Sequence, residues 1–115
     1  MKISFPTNDR KTLAERTGRA KEFVIYDLQD RQIINIAYKE NRHKHHEHVH
    51  GNEHQKGEGG HSHKEIMELL SDVDLLIVLR IGKFLKKELM DNKVSYQITK
   101  SIAIEDALNE YLIRL

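Results

Sequence analysis

The fold is decided by the stretch Val73-Asp74-Leu75-Leu76-Ile77-Val78-Leu79 and by the Arg80-Ile81-Gly82-Lys83 that follows it. The aliphatic run has no polar face to turn toward water, so it predicts a strand covered by helices on both sides. Gly82 permits a tight turn into a segment with helical periodicity. Because open α/β sheets bind ligands where a strand ends and a helix begins, the same stretch predicts a core strand and a binding site.

Composition narrows the class of protein. The 115 residues predict a single domain, 1–115, and the 19 Lys and Arg residues nearly balance the 18 Asp and Glu residues. The protein therefore has no strong overall electrostatic field that would predict binding to nucleic acid or to a membrane surface. The absence of Cys excludes disulfides, thiolate-held clusters and a Cys nucleophile. No apolar run resembles a signal peptide or spans a bilayer, so we expect a cytoplasmic protein.

Hydrophobic periodicity predicts five strands, a helical turn and three helices. The predicted strands are Lys2–Phe5, Glu22–Leu28, Gln32–Tyr38, Asp74–Leu79 and Lys93–Gln97. The predicted helical turn is Thr12–Arg16, and the predicted helices are Ser62–Val73, Ile81–Asn92 and Ile104–Leu115. The second and third strands are joined so closely that they must form a hairpin, and the late β-α-β unit requires a right-handed crossover. The fold class is therefore α/β, with a five-stranded mixed sheet flanked by helices.

Residues 39–60 are predicted to be a flexible His-rich loop. Val49 is almost their only apolar residue, so burial cannot offset the entropy lost on ordering. Neutral imidazoles bind Zn²⁺, Ni²⁺, Co²⁺ or Cu²⁺, although no zinc-finger spacing is present. The alternative is a solvated loop that binds metal without a biological role. The candidate metal ligands are His43, His45, His46, His48, His50, His54, His61 and His63.

Several segments of the chain carry a resemblance to a known family. They are Lys2-Ile3-Ser4-Phe5-Pro6-Thr7, Leu13-Ala14-Glu15-Arg16-Thr17-Gly18-Arg19-Ala20-Lys21-Glu22-Phe23-Val24-Ile25-Tyr26-Asp27, Val73-Asp74, Ile81-Gly82 and Ile104-Glu105-Asp106-Ala107-Leu108. In sequence and order they resemble the dinitrogenase iron–molybdenum cofactor biosynthesis family. The resemblance implies a ribonuclease-H-like fold with sheet order 3-2-1-4-5 and an antiparallel second strand. It also implies carriage or insertion of an iron–molybdenum or related cluster, not catalysis. Members often carry His-Phe before the first glycine, where this chain has Arg16 and Thr17.

Two glycine turns beside cations are the candidate cofactor-binding segments. They comprise Arg16, Gly18 and Arg19 in the first turn and Arg80, Gly82 and Lys83 in the second. Exposed backbone N–H groups with adjacent cations suit an anionic cofactor. The alternative is a pair of ordinary turns with solvated charges. If the resemblance carries function, both turns face the same end of the sheet and form a basic pocket.

No catalytic residue is predicted. The acids are scattered, there is no Gly-x-Ser-x-Gly elbow, and no His outside the loop offers a general base. Three functions stay open: a metal-cluster carrier or biosynthesis accessory protein, a divalent-metal sequestering or delivery protein, and an interaction module without a cofactor. The expected partners are a metal cluster or metal ion and a cofactor-biosynthesis or metalloenzyme protein, with neither nucleic acid nor membrane.

Overall fold

The computed structural model describes residues 1–41 and 65–114. Its strands are β1 (Lys2–Thr7), β2 (Glu22–Gln29), β3 (Gln32–Glu40), β4 (Leu75–Val78) and β5 (Tyr96–Ile98). Its helices are α1 (65–69), α2 (Lys83–Asp91) and α3 (Ile104–Arg114), with a 3-10 turn at Thr17–Arg19. The strands form one sheet of order β3-β2-β1-β4-β5, in which β2 is antiparallel to both neighbours and the β1–β4 and β4–β5 pairs are parallel. The predicted fold class and strand order are confirmed.

The sheet is covered on both faces, as the aliphatic run of β4 predicted. Leu76 and Val78 pack with residues of α1 and α2 on one face. Ile77 packs with Ile3 and with α3 on the other. All three β4 side chains are almost fully buried. Among the described residues, no helix is long and apolar enough to cross a membrane.

Strand β1 continues through Pro6, so its predicted end at Phe5 is wrong. On the β4 side the ladder stops at Ser4, and the missing N–H of Pro6 therefore breaks no hydrogen bond between strands. The Pro6 carbonyl instead accepts the Ala14 N–H at 2.8 Å. Pairing with β2 persists as far as Thr7.

The helical turn predicted at Thr12–Arg16 is also wrong. The Leu13 N–H donates to the Ile102 carbonyl at 2.8 Å, which holds this segment extended against the chain preceding α3. Isolated antiparallel bridges also pair Thr12 with Ala103 and Leu13 with Thr7. These tertiary backbone partners therefore override the local helical preference.

The Asp9 carboxylate holds the chain at residues 9–12 in place by accepting hydrogen bonds from backbone N–H groups. The Thr12 and Lys11 N–H groups, at 2.8 and 2.9 Å, lower the pKa of Asp9 to about 2. A lowered carboxyl pKa stabilises the fold where the group is ionised. This contribution is therefore complete above the ordinary carboxyl pKa and is lost as the pH falls toward 2.

The predicted His-rich loop at residues 39–60 begins later in the structure than the sequence predicts. Lys39 and Glu40 continue β3 and pair with Phe23 and Glu22, so the predicted loop at 39–60 begins two residues too early. Asn41 is fully buried. Residues 42–60 lie outside the described residues.

Strand β5 begins later than predicted. The Lys93 and Val94 N–H groups donate to the carbonyls of Met90 and Leu89, which keeps them in the turn that ends α2. Lys93 has a φ of 59°, a left-handed conformation that is common where helices end. The strand therefore spans Tyr96–Ile98 instead of Lys93–Gln97.

Ser4 and Thr7, both fully buried on β1, provide a matched test of buried hydroxyls. The Thr7 hydroxyl donates to the Thr12 carbonyl at 2.7 Å and accepts the Arg10 N–H at 2.9 Å. The Ser4 hydroxyl has no partner among the described residues. We therefore expect Thr7→Val to lower the free energy of unfolding by about 1–3 kcal/mol and Ser4→Ala to leave it unchanged or raise it by about 1 kcal/mol. Urea denaturation measures the free energy of unfolding of both variants. Equal losses in the two would contradict the conclusion that the Thr7 hydroxyl is hydrogen-bonded and the Ser4 hydroxyl is not.

Candidate functional site

A cleft lies at the edge of the sheet where the parallel strands β1 and β4 end. Segments that follow the two strands form its walls, and its volume is about 420 Å³. Carboxyl edges of parallel strands are where open α/β sheets bind ligands. The lining residues are Arg16, Thr17, Gly18, Arg80, Ile81, Gly82, Phe84 and Leu85.

One hydrogen bond, donated by a buried threonine, joins the two walls. The Thr17 hydroxyl donates to the Arg80 carbonyl at 2.6 Å, and the Thr17 residue is only 2% exposed. The 3-10 turn that carries Thr17 is closed by the Arg19 N–H, which donates to the Arg16 carbonyl at 3.1 Å. The arginine-bearing segments are therefore fixed relative to each other by a hydrogen bond from the Thr17 side chain to the Arg80 backbone carbonyl.

Asn41 braces the same turn from the end of β3. Its side-chain amide donates to the Ala20 carbonyl at 2.8 Å and to the Gly18 carbonyl at 3.3 Å. Its backbone N–H donates to the Lys21 carbonyl at 2.9 Å. Three hydrogen bonds thus attach Asn41 to the first wall of the cleft.

The lining combines positive charge with apolar surface. Arg16 and Arg80 are exposed, and none of the described lining residues is acidic. Leu85 is buried, Ile81 is half-buried and Phe84 is 72% exposed. Guanidinium groups beside apolar walls suit an anion that is large and weakly hydrated.

Both cleft glycines leave open space where a side chain would begin. A Cβ built on Gly18 or Gly82 meets no atom within 4 Å, so neither glycine is demanded by packing within the protein. Gly82 has an ordinary φ of −74° as the residue preceding α2. A backbone left bare in this way allows close approach by a bulky ligand. The charges and the open glycines fit an anionic metal cluster.

The structure brings together four of the six predicted cofactor-binding residues. Arg16, Gly18, Arg80 and Gly82 line the cleft, whereas Arg19 and Lys83 do not. The two turns lie at the same edge of the sheet, and the binding role of these residues stays a prediction. All eight histidines lie outside the described residues, among which no group of His, Asp or Glu could hold a metal ion.

Two important lining residues were missed from the sequence. Thr17 gives no local signal, because its partner Arg80 lies 63 positions away. The helical spacing of Ile81, Phe84, Leu85, Glu88 and Leu89 predicts one apolar face that includes Phe84. That prediction is wrong for Phe84, because the buried face of α2 is formed by Leu85 and Leu89. The charged residues three and four positions after Phe84 are the signal that places it on the other side of the helix.

The fold and the cleft define a class of small α/β proteins with a basic cleft at the carboxyl edge of a mixed sheet. The family model described as dinitrogenase iron-molybdenum cofactor matches residues 1–113. The chain therefore belongs to the dinitrogenase iron–molybdenum cofactor family. A search of curated proteins finds no match.

Solved structures show the same fold. A candidate dinitrogenase from Methanocaldococcus jannaschii has a TM-score of 0.69 at 14% identity, over 99% of this chain and 89% of that one. The apo orange protein from Desulfovibrio gigas has a TM-score of 0.67 at 16% identity, over 98% and 88%. A candidate NifB protein from Thermotoga, described as a DUF35 member, has a TM-score of 0.64 at 19% identity, over 96% and 85%. At these identities the likeness establishes the fold alone.

The hydrogen bond between the walls can be tested at Thr17. Thr17→Val removes the donor and leaves the Arg80 carbonyl without it, so we expect a loss of about 1–3 kcal/mol in the free energy of unfolding. Thr17→Ser keeps the hydroxyl and should retain most of that stability. Urea denaturation compares the two variants. A Ser variant as unstable as the Val variant would show that the methyl group, not the hydrogen bond, holds the walls.

Proposed function

We propose that this protein is a carrier or biosynthesis accessory protein that binds an anionic iron–molybdenum or related metal cluster in the cleft. The observation that carries the proposal is the placement of Arg16 and Arg80 around two glycines whose Cβ positions are open. Membership of the iron–molybdenum cofactor family supports the choice of cargo.

Each part of the cleft has a separate role in this proposal. The guanidinium groups of Arg16 and Arg80 attract and orient the anion through charge and N–H donors. Gly18 and Gly82 let the cargo approach the backbone, and Phe84 and Ile81 shield one side of it from water. No thiolate or imidazole lines the described cleft, so these residues hold the cargo by charge and shape, which suits later release.

Carriage without catalysis is part of the same proposal. The described lining contains no carboxylate or imidazole that could act as a general acid or base. A carrier must pass its cargo on, so we expect a cofactor-biosynthesis or metalloenzyme protein as the partner. The proposal places this exchange in the cytoplasm and involves neither nucleic acid nor membrane.

Charge reversal in the cleft tests the binding site. Tetrathiomolybdate is a coloured molybdenum–sulfur anion whose binding can be followed by visible absorption at low salt. The double variant Arg16→Glu/Arg80→Glu should bind it at least about tenfold more weakly, because two attractive charges become repulsive. The matched control is Lys93→Glu/Arg114→Glu, which makes the same charge change at exposed residues outside the cleft.

The control separates a site from a general charge effect. Equal losses in the two double variants would mean that the anion responds only to net charge, and no loss in either would reject the cleft. Gly18→Ala/Gly82→Ala adds a neutral test. It should fold normally, because the new methyl groups meet no protein atom, and it should bind less anion because they occupy the cleft.

A second candidate function is sequestration or delivery of divalent metal by the His-rich segment. Eight histidines lie between positions 43 and 63, and Asn41 ties the chain entering that segment to the first wall of the cleft. The residues proposed as ligands for Zn²⁺, Ni²⁺, Co²⁺ or Cu²⁺ are the eight named above. Delivery beside the cleft would supply metal close to the proposed cargo site.

Metal binding can be tested independently of the cleft. Tag-free protein should bind Zn²⁺ or Ni²⁺ in calorimetry, and a variant with all eight histidines replaced by Ser should lose this binding. The Arg16→Glu/Arg80→Glu variant is the control and should bind the metal as the unchanged protein does. Unaltered metal affinity in the eight-Ser variant would contradict the second function.

A further inference from the structure

Phe84 is an aromatic residue that the fold itself does not use. It lies in the first turn of α2 and is 72% exposed, whereas Leu85 and Leu89 form the buried face of that helix. Among the large apolar side chains of the described residues, only that of Ile113 is more exposed. Because Phe84 also lines the cleft, its exposed surface is open to contact with whatever occupies the cleft.

The charged groups of the cleft do not by themselves distinguish one anion from another. Arg16 and Arg80 attract any two anions of equal charge and size alike, since Coulomb attraction depends on charge and distance. The Thr17 hydroxyl donates its proton to the Arg80 carbonyl at 2.6 Å, so that proton is not offered to a ligand. Apart from these three residues, no side chain in the described lining carries an N–H or O–H group. Selection among anions therefore depends on the apolar part of the lining.

The apolar part of the lining separates oxo from sulfido ligands through their hydration. Oxo ligands are small and accept strong hydrogen bonds. An oxyanion set against Phe84 and Ile81 therefore gives up water on that side and gains no hydrogen bond in return. Sulfido ligands are larger, more polarisable and weaker acceptors. They lose less hydration there and gain dispersion and sulfur–aromatic contact with the ring.

We propose that Phe84 is a specificity-determining residue that makes the cleft select sulfide-ligated metal anions against oxyanions of the same charge and shape. This inference rests on the proposed function, and it narrows the cargo to anions whose outer atoms are sulfur. Simple oxyanions such as sulfate and phosphate are thereby kept from competing for Arg16 and Arg80, although both arginines attract them.

Tetrathiomolybdate and molybdate are a matched pair of probes, because both are tetrahedral dianions of molybdenum that differ only in sulfur or oxygen. Calorimetry at low salt and about pH 8, where imidazoles are mostly neutral, measures both affinities on tag-free, chelator-treated protein. We expect tetrathiomolybdate to bind at least about tenfold more tightly than molybdate. Phe84→Ser should weaken tetrathiomolybdate binding about tenfold and leave molybdate binding within about twofold, because it removes apolar surface and no charge.

Two further variants separate selectivity from general effects on the helix. Phe84→Leu keeps an apolar side chain at the cleft and should retain most of the preference for tetrathiomolybdate. Met90→Ser removes another apolar side chain from α2, one that is 64% exposed and outside the cleft, and should change neither affinity. Thermal melting of each variant shows whether it is folded.

The outcomes distinguish failure of this inference from failure of the proposed function. Equal affinity of the unchanged protein for the two anions would overturn the selectivity and leave the cleft as an anion site. A folded Phe84→Ser variant that keeps the full preference, or that weakens both anions equally, would overturn the role of Phe84. Binding of neither anion to the unchanged protein would reject the proposed function and this inference with it.

Discussion

The parallel pairing of β1 with β4 is the constraint on which the rest of the structure depends. It sets Ile3 beside Leu75 and Ser4 beside Leu76, and so joins parts of the chain that are far apart in sequence. Because both strands point the same way, the segments that follow them arrive at the same edge of the sheet. The hydrogen bond from Thr17 to the Arg80 carbonyl then fixes their spacing. The cleft thus results from the strand topology, and the hydrogen bond donated by the Thr17 hydroxyl holds its two walls together.

Sequence patterns predicted those parts of the fold that burial controls. The aliphatic run predicted that β4 lies between two helical layers, because hydrophobic periodicity reports which side meets the core. On α2 the same periodicity identified Leu85 and Leu89 but wrongly included Phe84. The helical turn at Thr12–Arg16 failed because Leu13 is held by the Ile102 carbonyl, a partner from the other end of the chain. Local propensity carries no information about such a partner.

Some features of the candidate site could likewise be predicted from the sequence, and others could not. Glycines beside cations were visible in the sequence, because open backbone and charge are local properties of a turn. The roles of Thr17 and Asn41 were not visible, since both depend on carbonyl groups that the folded chain brings within hydrogen-bonding distance.

The central claim is that an anionic metal–sulfur cargo is held between the two glycine turns. The most direct measurement is the change in backbone amide chemical shifts of ¹⁵N-labelled protein as tetrathiomolybdate is added. The account predicts that the largest changes fall at Arg16–Gly18 and Arg80–Leu85, on the two walls of the cleft. The largest changes at residues outside these two segments, with the cleft amides unaffected, would contradict it.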